Sequence, residues 1–273
     1  MQVEEISSYD GVRLKYAYSG LSHKPCIALA MPFGLRLDLA DAFFEFYRPH
    51  YEVMTWESRL ILDSSGQEVS SGDFAVDNHV NDLVSILRAR QVSRATLVGY
   101  CSGAGISLAA ANMFPELFSA LVLVHGEYAL LSDESCTTKF AADVDSLLSF
   151  AATSEEHARE VFARVTSDRL VANSALPEGI DTPFTQLHYL YRYALNYLAY
   201  KSTDFKKLAL SVTHRSLLLT GKRDVQANVE STRMIHGLMR NAEIHVDPGA
   251  DHYGILREDS KTLAAIWNYL GTL

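Results

Sequence analysis

Cysteine is scarce. The three in this chain, Cys26, Cys101 and Cys136, are too few and too odd in number for a disulfide framework, and they lack the spacing of a zinc site. Positive charge is also short. Twenty-four Lys and Arg face 33 Asp and Glu, giving a net charge of −9 and a pI near 5.5. That balance does not point to nucleic acid or to an anionic membrane surface as a partner. No apolar run reaches the roughly 18 residues of a membrane span. The opening residues, Met1-Gln2-Val3-Glu4-Glu5, have neither a basic region nor an apolar core, so they do not read as a secretory signal. A reducing cytoplasm is the expected location, and it would keep a reactive thiol reduced. Internal repeats and low-complexity segments are absent as well. What the chain does have is 273 residues, 48% of them hydrophobic, which is ample for a sizeable core.

Strand and helix patterns alternate along most of that length. Val3 to Ser7 and Val12 to Tyr18 read as an opening strand pair around Tyr9-Asp10-Gly11. Cys26 to Ala30 is a buried-type strand, and Tyr51 to Thr55 is another. Between them Leu39 to Tyr47 reads as a helix. Val80, Leu83, Val84 and Leu87 give Val76 to Arg90 helical spacing. Ala120 to Val124, Leu217 to Leu219 and Ile244 to Val246 add strands, and Ser260 to Leu270 closes the chain as an amphipathic segment. Such alternation implies right-handed crossovers and a mostly parallel sheet with helices on both faces.

The most informative stretch is Val98-Gly99-Tyr100-Cys101-Ser102-Gly103-Ala104-Gly105. It has the Gly-x-nucleophile-x-Gly form of a strand-to-helix elbow, with cysteine at the centre. The sharp turn needs small residues two positions on either side, because the central backbone is strained and close to its neighbours. Gly99 and Gly103 supply them. Centring the motif on Ser102 would need glycines at 100 and 104, where Tyr100 and Ala104 stand. Cys101 is therefore the candidate nucleophile. The turn would lift its sulfur to a helix N-terminus, where the dipole and free N–H groups favour thiolate and can receive an oxyanion. The plainer alternative is a buried, inert cysteine at a glycine-rich turn.

Two partners follow in order. Leu217-Leu218-Leu219-Thr220-Gly221-Lys222-Arg223-Asp224 runs from a buried strand into a turn that ends in an acid. Asp247-Pro248-Gly249-Ala250-Asp251-His252 then places a histidine just after the next strand. His252 would take the proton from Cys101, and Asp224 would orient the imidazole and stabilise its charged form. Glu127, after the strand that ends at Val124, competes with Asp224 for the acid role. Asp251 is a poor choice, being adjacent to His252. After Ala30 comes Met31-Pro32-Phe33-Gly34. Proline has no N–H, so an oxyanion donor from this loop must be Phe33 or Gly34. The Ser102 backbone N–H would be the other.

From about residue 128 to 206 the alternation stops and the pattern turns helical. Leu187 to Tyr200 is dense in tyrosine. These rings either pack the segment onto the core or line a pocket with an apolar wall and polar tips. His125 and His188 could face the site, with an ordinary structural role the leading expectation for both.

On the elbow, the acid turn and the histidine loop, in that order, the chain resembles the α/β-hydrolase superfamily over nearly its full length. The resemblance implies one domain spanning 1–273, an eight-stranded, mostly parallel sheet, a helical cap inserted at about 128–206, and acyl-transfer chemistry. The cysteine narrows it further. Dienelactone hydrolases share a Gly-Tyr-Cys-x-Gly elbow but are compact, whereas 123 positions separate Cys101 from Asp224 here. The layout is closer to the cysteine acyl- and aminoacyltransferases, and thioesterase-like enzymes, of nonribosomal peptide and polyketide pathways. That resemblance implies an acyl thioester substrate carried on phosphopantetheine, an acyl or peptidyl carrier protein as partner, and no metal or tightly bound cofactor. Both transfer and hydrolysis of the acyl group remain open. So does an esterase or lactonase acting on a small free substrate. A non-catalytic receptor on the same fold would have no need of all three groups in catalytic order.

Overall fold

The computed structural model describes residues 1–20, 23–168, 176–258 and 260–273. Strands β1 (Gln2–Ser7) and β2 (Arg13–Tyr18) pair antiparallel, and Gly11 takes a positive φ of 87° in the turn between them. β3 (Cys26–Ala30), β4 (Glu52–Trp56), β5 (Ala95–Tyr100), β6 (Phe118–Val124), β7 (Ser216–Gly221) and β8 (Ala242–Asp247) complete an eight-stranded sheet. The spatial order is β1-β2-β4-β3-β5-β6-β7-β8. β2 meets β4 antiparallel, and every later pairing is parallel.

The central strands are apolar throughout because both sheet faces are covered. Successive residues then serve opposite layers. Leu97, Leu121 and Leu123 face one core with α2 (Val76–Ala89) and α3 (Ser102–Met113). Val98, Val122 and Val124 face the other, with α1 (Asp41–Tyr47) and the C-terminal α9 (Lys261–Leu270). Burial of a large apolar side chain is worth roughly 1.5–3 kcal/mol. Phe43, Phe44 and Tyr47 of α1 each gain on that scale, and all are nearly fully buried. Ser260 caps α9 by accepting the Leu263 N–H at 3.1 Å.

Between β6 and β7 lie α4 (Lys139–Ala151), α5 (Glu155–Asp168), α6 (Leu187–Lys201) and α7 (Phe205–Ser211), with α8 (Val229–Leu238) between β7 and β8. Two boundaries differ instructively from the sequence pattern. The segment expected as a helix from Leu39 opens as a 3-10 turn, Leu37–Ala40, before α1. Helix α3 starts at Ser102, earlier than its aliphatic stretch from Ile106 suggests. The small residues at 103–105, which read as a turn, are what let the first turn pack tightly: a Cβ on Gly105 would meet Phe205 Cε1 at 2.6 Å. Among the described residues no helix is long and apolar enough to cross a membrane.

Candidate active site

The sheet's parallel strands end where the sequence places its chemistry. Cys101 joins β5 to α3 with φ 53° and ψ −121°, a conformation that costs a non-glycine residue of order 1–3 kcal/mol. Neighbouring backbone holds it there. The Cys101 N–H donates to Val124 O at 3.0 Å, and its carbonyl accepts the N–H groups of Ala104 at 3.0 Å and Glu127 at 3.2 Å. The flanking glycines are required sterically. A Cβ on Gly99 would stand 2.5 Å from the Gly103 carbonyl, and one on Gly103 would run into the Ala30 carbonyl. Ser102 is the first residue of α3, and its hydroxyl accepts the Phe33 N–H at 3.3 Å.

A cavity of about 100 Å³ opens over Cys101. Phe33, Ser102 and Glu127 line it from the sheet side; Phe140 and Val144 of α4, with Tyr193, Tyr197 and Tyr200 of α6, line it from above. The tyrosine-rich segment thus divides by helical face. Residues 193, 197 and 200 follow i, i+4, i+7 spacing and share one stripe. Tyr191 and His188 turn instead to a separate cleft of about 470 Å³ with Arg192 and Glu155. A larger cleft of about 680 Å³, bordered by Asp10, Arg13 and Gln67, is not lined by Cys101 either.

Asp224 and His252 come together beside the elbow. His252 Nδ1 lies 2.8 Å from Asp224 Oδ2, and the His252 ring rests against Tyr100 with centroids 5.2 Å apart. The other carboxylate oxygen, Oδ1, accepts the N–H groups of Gln226 at 2.8 Å and Ala227 at 2.9 Å. No hydrogen bond joins Glu127 to His252 among the described residues; its Oε1 accepts the Ala129 N–H at 2.7 Å. Asp251 pairs with Arg257 at 2.7 Å.

One further partner, expected chiefly in a structural role, joins the acid. His125 Nδ1 also reaches Asp224 Oδ2 at 2.8 Å, so both imidazoles share one oxygen. His125 follows β6 with φ 49°, and that turn swings its ring inward. A positive φ on a residue just after a strand leaves no mark in the residue types. Burial alone would raise the Asp224 carboxyl, but the two imidazole N–H groups overcome it and hold the acid well below the usual carboxylate range. An ionised carboxylate only accepts, so each Nδ1 carries the proton it donates. His125, Asp224 and His252 are the described residues whose donor atoms converge closely enough for a cation. Their 2.8 Å separations are those of N–H···O bonds, which satisfy the group without one.

The thiol departs from the sequence expectation. Burial, then the Glu127 carboxylate, push Cys101 well above the ordinary thiol range, and the Ser102 N–H offsets them only in part. The helix N-terminus favours thiolate, but desolvation outweighs it. In the resting arrangement the thiol makes no hydrogen bond to the His252 ring among the described residues. The arrangement brings a neutral thiol and the Ser102 N–H to one small, aromatic-walled cavity, with the His252–Asp224 pair beside the elbow and the Phe33 N–H held by the Ser102 hydroxyl.

Comparison with known proteins agrees with this architecture. An L-allo-isoleucyltransferase of Pseudomonas savastanoi pv. glycinea is 27% identical over 216 residues, covering 76% of this chain and 73% of that protein. The uncharacterized hydrolase YugF of Bacillus subtilis (strain 168) is 25% identical over 203 residues, 72% of each. Among solved structures, the enol-lactonase from Burkholderia xenovorans LB400 superposes with a TM-score of 0.77 at 16% identity, over 98% of this chain and 100% of that one. The model of the alpha/beta hydrolase fold family matches residues 46–259, and with that sheet order, elbow and cavity the chain belongs to the alpha/beta hydrolase fold family.

Proposed function

We propose that this chain is a cysteine acyl-transfer enzyme that takes a small acyl or aminoacyl group from a thioester through a covalent acyl-S-Cys101 intermediate. The observation that carries the reading is the thiol at the strained elbow, under an aromatic-walled cavity and beside the His252–Asp224 pair. On binding, His252 Nε2 accepts the Cys101 proton as sulfur attacks the thioester carbonyl. Asp224 holds the imidazole in the tautomer that leaves Nε2 free and stabilises the imidazolium. The Ser102 N–H receives the oxyanion, joined by the Phe33 N–H as it turns from the Ser102 hydroxyl. The tetrahedral species then collapses: the carbon–sulfur bond to the leaving thiol breaks, and that thiol takes the proton from His252.

The second half repeats the first in reverse. An acceptor thiol loses its proton to His252, attacks the acyl-enzyme and releases Cys101. Thioester exchanges for thioester, so the energy of the acyl bond is retained; a serine would give a lower-energy oxyester. Water must be kept from the intermediate for transfer to win. Phe140, Val144 and the three α6 tyrosines are the residues suited to exclude it. An acceptor on a carrier's phosphopantetheine arm is the partner this chemistry suits. The similarity to an aminoacyltransferase supports the reading without fixing the acyl group.

The test is single-turnover mass spectrometry on a panel of acyl thioesters, with and without a pantetheine acceptor. A mass increase mapped to Cys101, stable for minutes in buffer and discharged quickly by the acceptor, is expected. Rapid discharge to water regardless of acceptor would make the enzyme a hydrolase. Faster turnover of simple esters or lactones than of thioesters would favour an esterase.

A further inference from the structure

The reaction just described leaves one half-buried group at the cavity without a task. Glu127 lines the cavity over Cys101, and its backbone is tied to the elbow through its N–H to the Cys101 carbonyl at 3.2 Å. Its own carbonyl accepts the Tyr200 hydroxyl, which fixes it against the cavity's far wall. Oε1 takes the Ala129 N–H at 2.7 Å, and no hydrogen bond reaches Oε2 among the described residues. The residues lining the cavity include no lysine, arginine or histidine. A half-buried carboxylate among aromatic rings, with no cation in the lining, offers an open acceptor at Oε2 that a cationic ligand would complete. Burial accordingly pushes the carboxyl up to about 7, with the Asp224 charge adding to the effect and the Ala129 N–H opposing it.

We infer that Glu127 binds the α-ammonium of an aminoacyl thioester, making this cavity selective for acyl groups with a free α-amine. The α-ammonium sits on the carbon next to the carbonyl that Cys101 would attack, so one small cavity must hold both. Aromatic rings in the lining, Tyr193 among them, add a second, weaker attraction for a cation. The pairing also acts on the nucleophile. Glu127's charge opposes thiolate formation at Cys101, and a bound ammonium cancels that charge. The thiol is thereby eased toward ionisation when the right substrate is present. Anionic acyl groups are rejected by the same charge. This inference rests on the acyl-transfer reading for its reaction, but not for its binding.

The experiment uses two thioesters of one skeleton, S-(L-valyl)-N-acetylcysteamine and S-isovaleryl-N-acetylcysteamine, which differ in the amine alone. Loading of Cys101 is followed by intact mass in the wild type and in Glu127→Gln. Binding is followed by calorimetry in Cys101→Ala. A charge-assisted contact of this kind corresponds to about a 10- to 100-fold preference. The wild type should load valyl faster by that factor, and Cys101→Ala should bind it more tightly to a similar degree. Glu127→Gln should lose the preference by slowing valyl while loading isovaleryl faster than the wild type does. A misfolded variant would slow both. The wild-type preference should also shrink below pH 7, as Glu127 takes up a proton. Equal loading of both compounds by the wild type, or an undiminished preference in Glu127→Gln, overturns the ammonium site and leaves the nucleophile standing. Tighter binding of valyl to Cys101→Ala with no adduct on wild-type Cys101 does the reverse. No adduct together with equal binding overturns both.

Discussion

Replacing Asp224 by asparagine separates what this residue does for the fold from what it does for the reaction. The carboxylate accepts four hydrogen bonds, two from backbone N–H groups on Oδ1 and two from imidazoles on Oδ2. The carbonyl of the introduced carboxamide can keep the Gln226 and Ala227 donors. Its NH₂ then points one hydrogen at each histidine. Both rings can accept by moving their own proton from Nδ1 to Nε2, so all four bonds to residue 224 are kept. The stability cost is expected to stay within about 1 kcal/mol, below the roughly 1–3 kcal/mol of an unsatisfied buried donor. Turnover fares differently. The His252 imidazolium of the transition state loses an anion, an interaction worth about 4 kcal/mol at roughly 4 Å and an effective dielectric near 20. That is about three orders of magnitude in rate, at ~1.36 kcal/mol per tenfold. The displaced proton on Nε2 also leaves His252 unable to take one from Cys101, which brings the expected loss to about 10⁴-fold in kcat. Thiol release from a model thioester reads the rate, and urea denaturation reads the stability. More than a tenth of wild-type turnover in Asp224→Asn would refute the role of this carboxylate; a loss of more than about 3 kcal/mol in stability would refute the polarity inversion.

Because burial keeps Cys101 protonated at rest, iodoacetamide should label it with a rate that rises about tenfold per pH unit from pH 7 to 9 in the absence of substrate. A plateau reached below pH 8 would show a pre-formed thiolate. Cys26 and Cys136 are buried and should react more slowly, as peptide mapping would reveal. At position 125, asparagine tolerates a positive φ and can still donate to Asp224, so His125→Asn should cost little. His125→Val combines strain with the lost bond and should cost about 2–4 kcal/mol in chemical denaturation; equal melting of the two variants would count against the φ argument. Gly103→Ala meets the backbone carbonyl of Ala30, which cannot turn aside, and should abolish the elbow and with it Cys101 loading. Gly105→Ala meets the side chains of Tyr200 and Phe205, which can shift, so a folded protein with a loosened cavity and roughly 1–3 kcal/mol less stability is expected by thermal melting.

What the sequence by itself determined is what short-range sterics and periodicity dictate. Gly99 and Gly103 around Cys101 mark an elbow because the crowding they relieve lies within a few residues of it, and β5 and β6 read as buried strands because both faces of the central sheet must be apolar. The chain order of cysteine, acid and histidine was visible for the same reason, each residue following an apolar run. The tertiary structure alone decided the electrostatics. His125 meets Asp224 across 99 positions through a backbone turn that no residue type announces. Glu127, which the sequence offered as a competing acid for His252, turns its carboxylate to the Ala129 N–H and the cavity instead. The ionisation of Cys101 reversed outright: a helix N-terminus can be read locally, but desolvation depends on everything packed around the sulfur, including α6 from nearly a hundred residues away. Charge and burial are sums over the whole fold, so they become legible only once the chain has closed around the site.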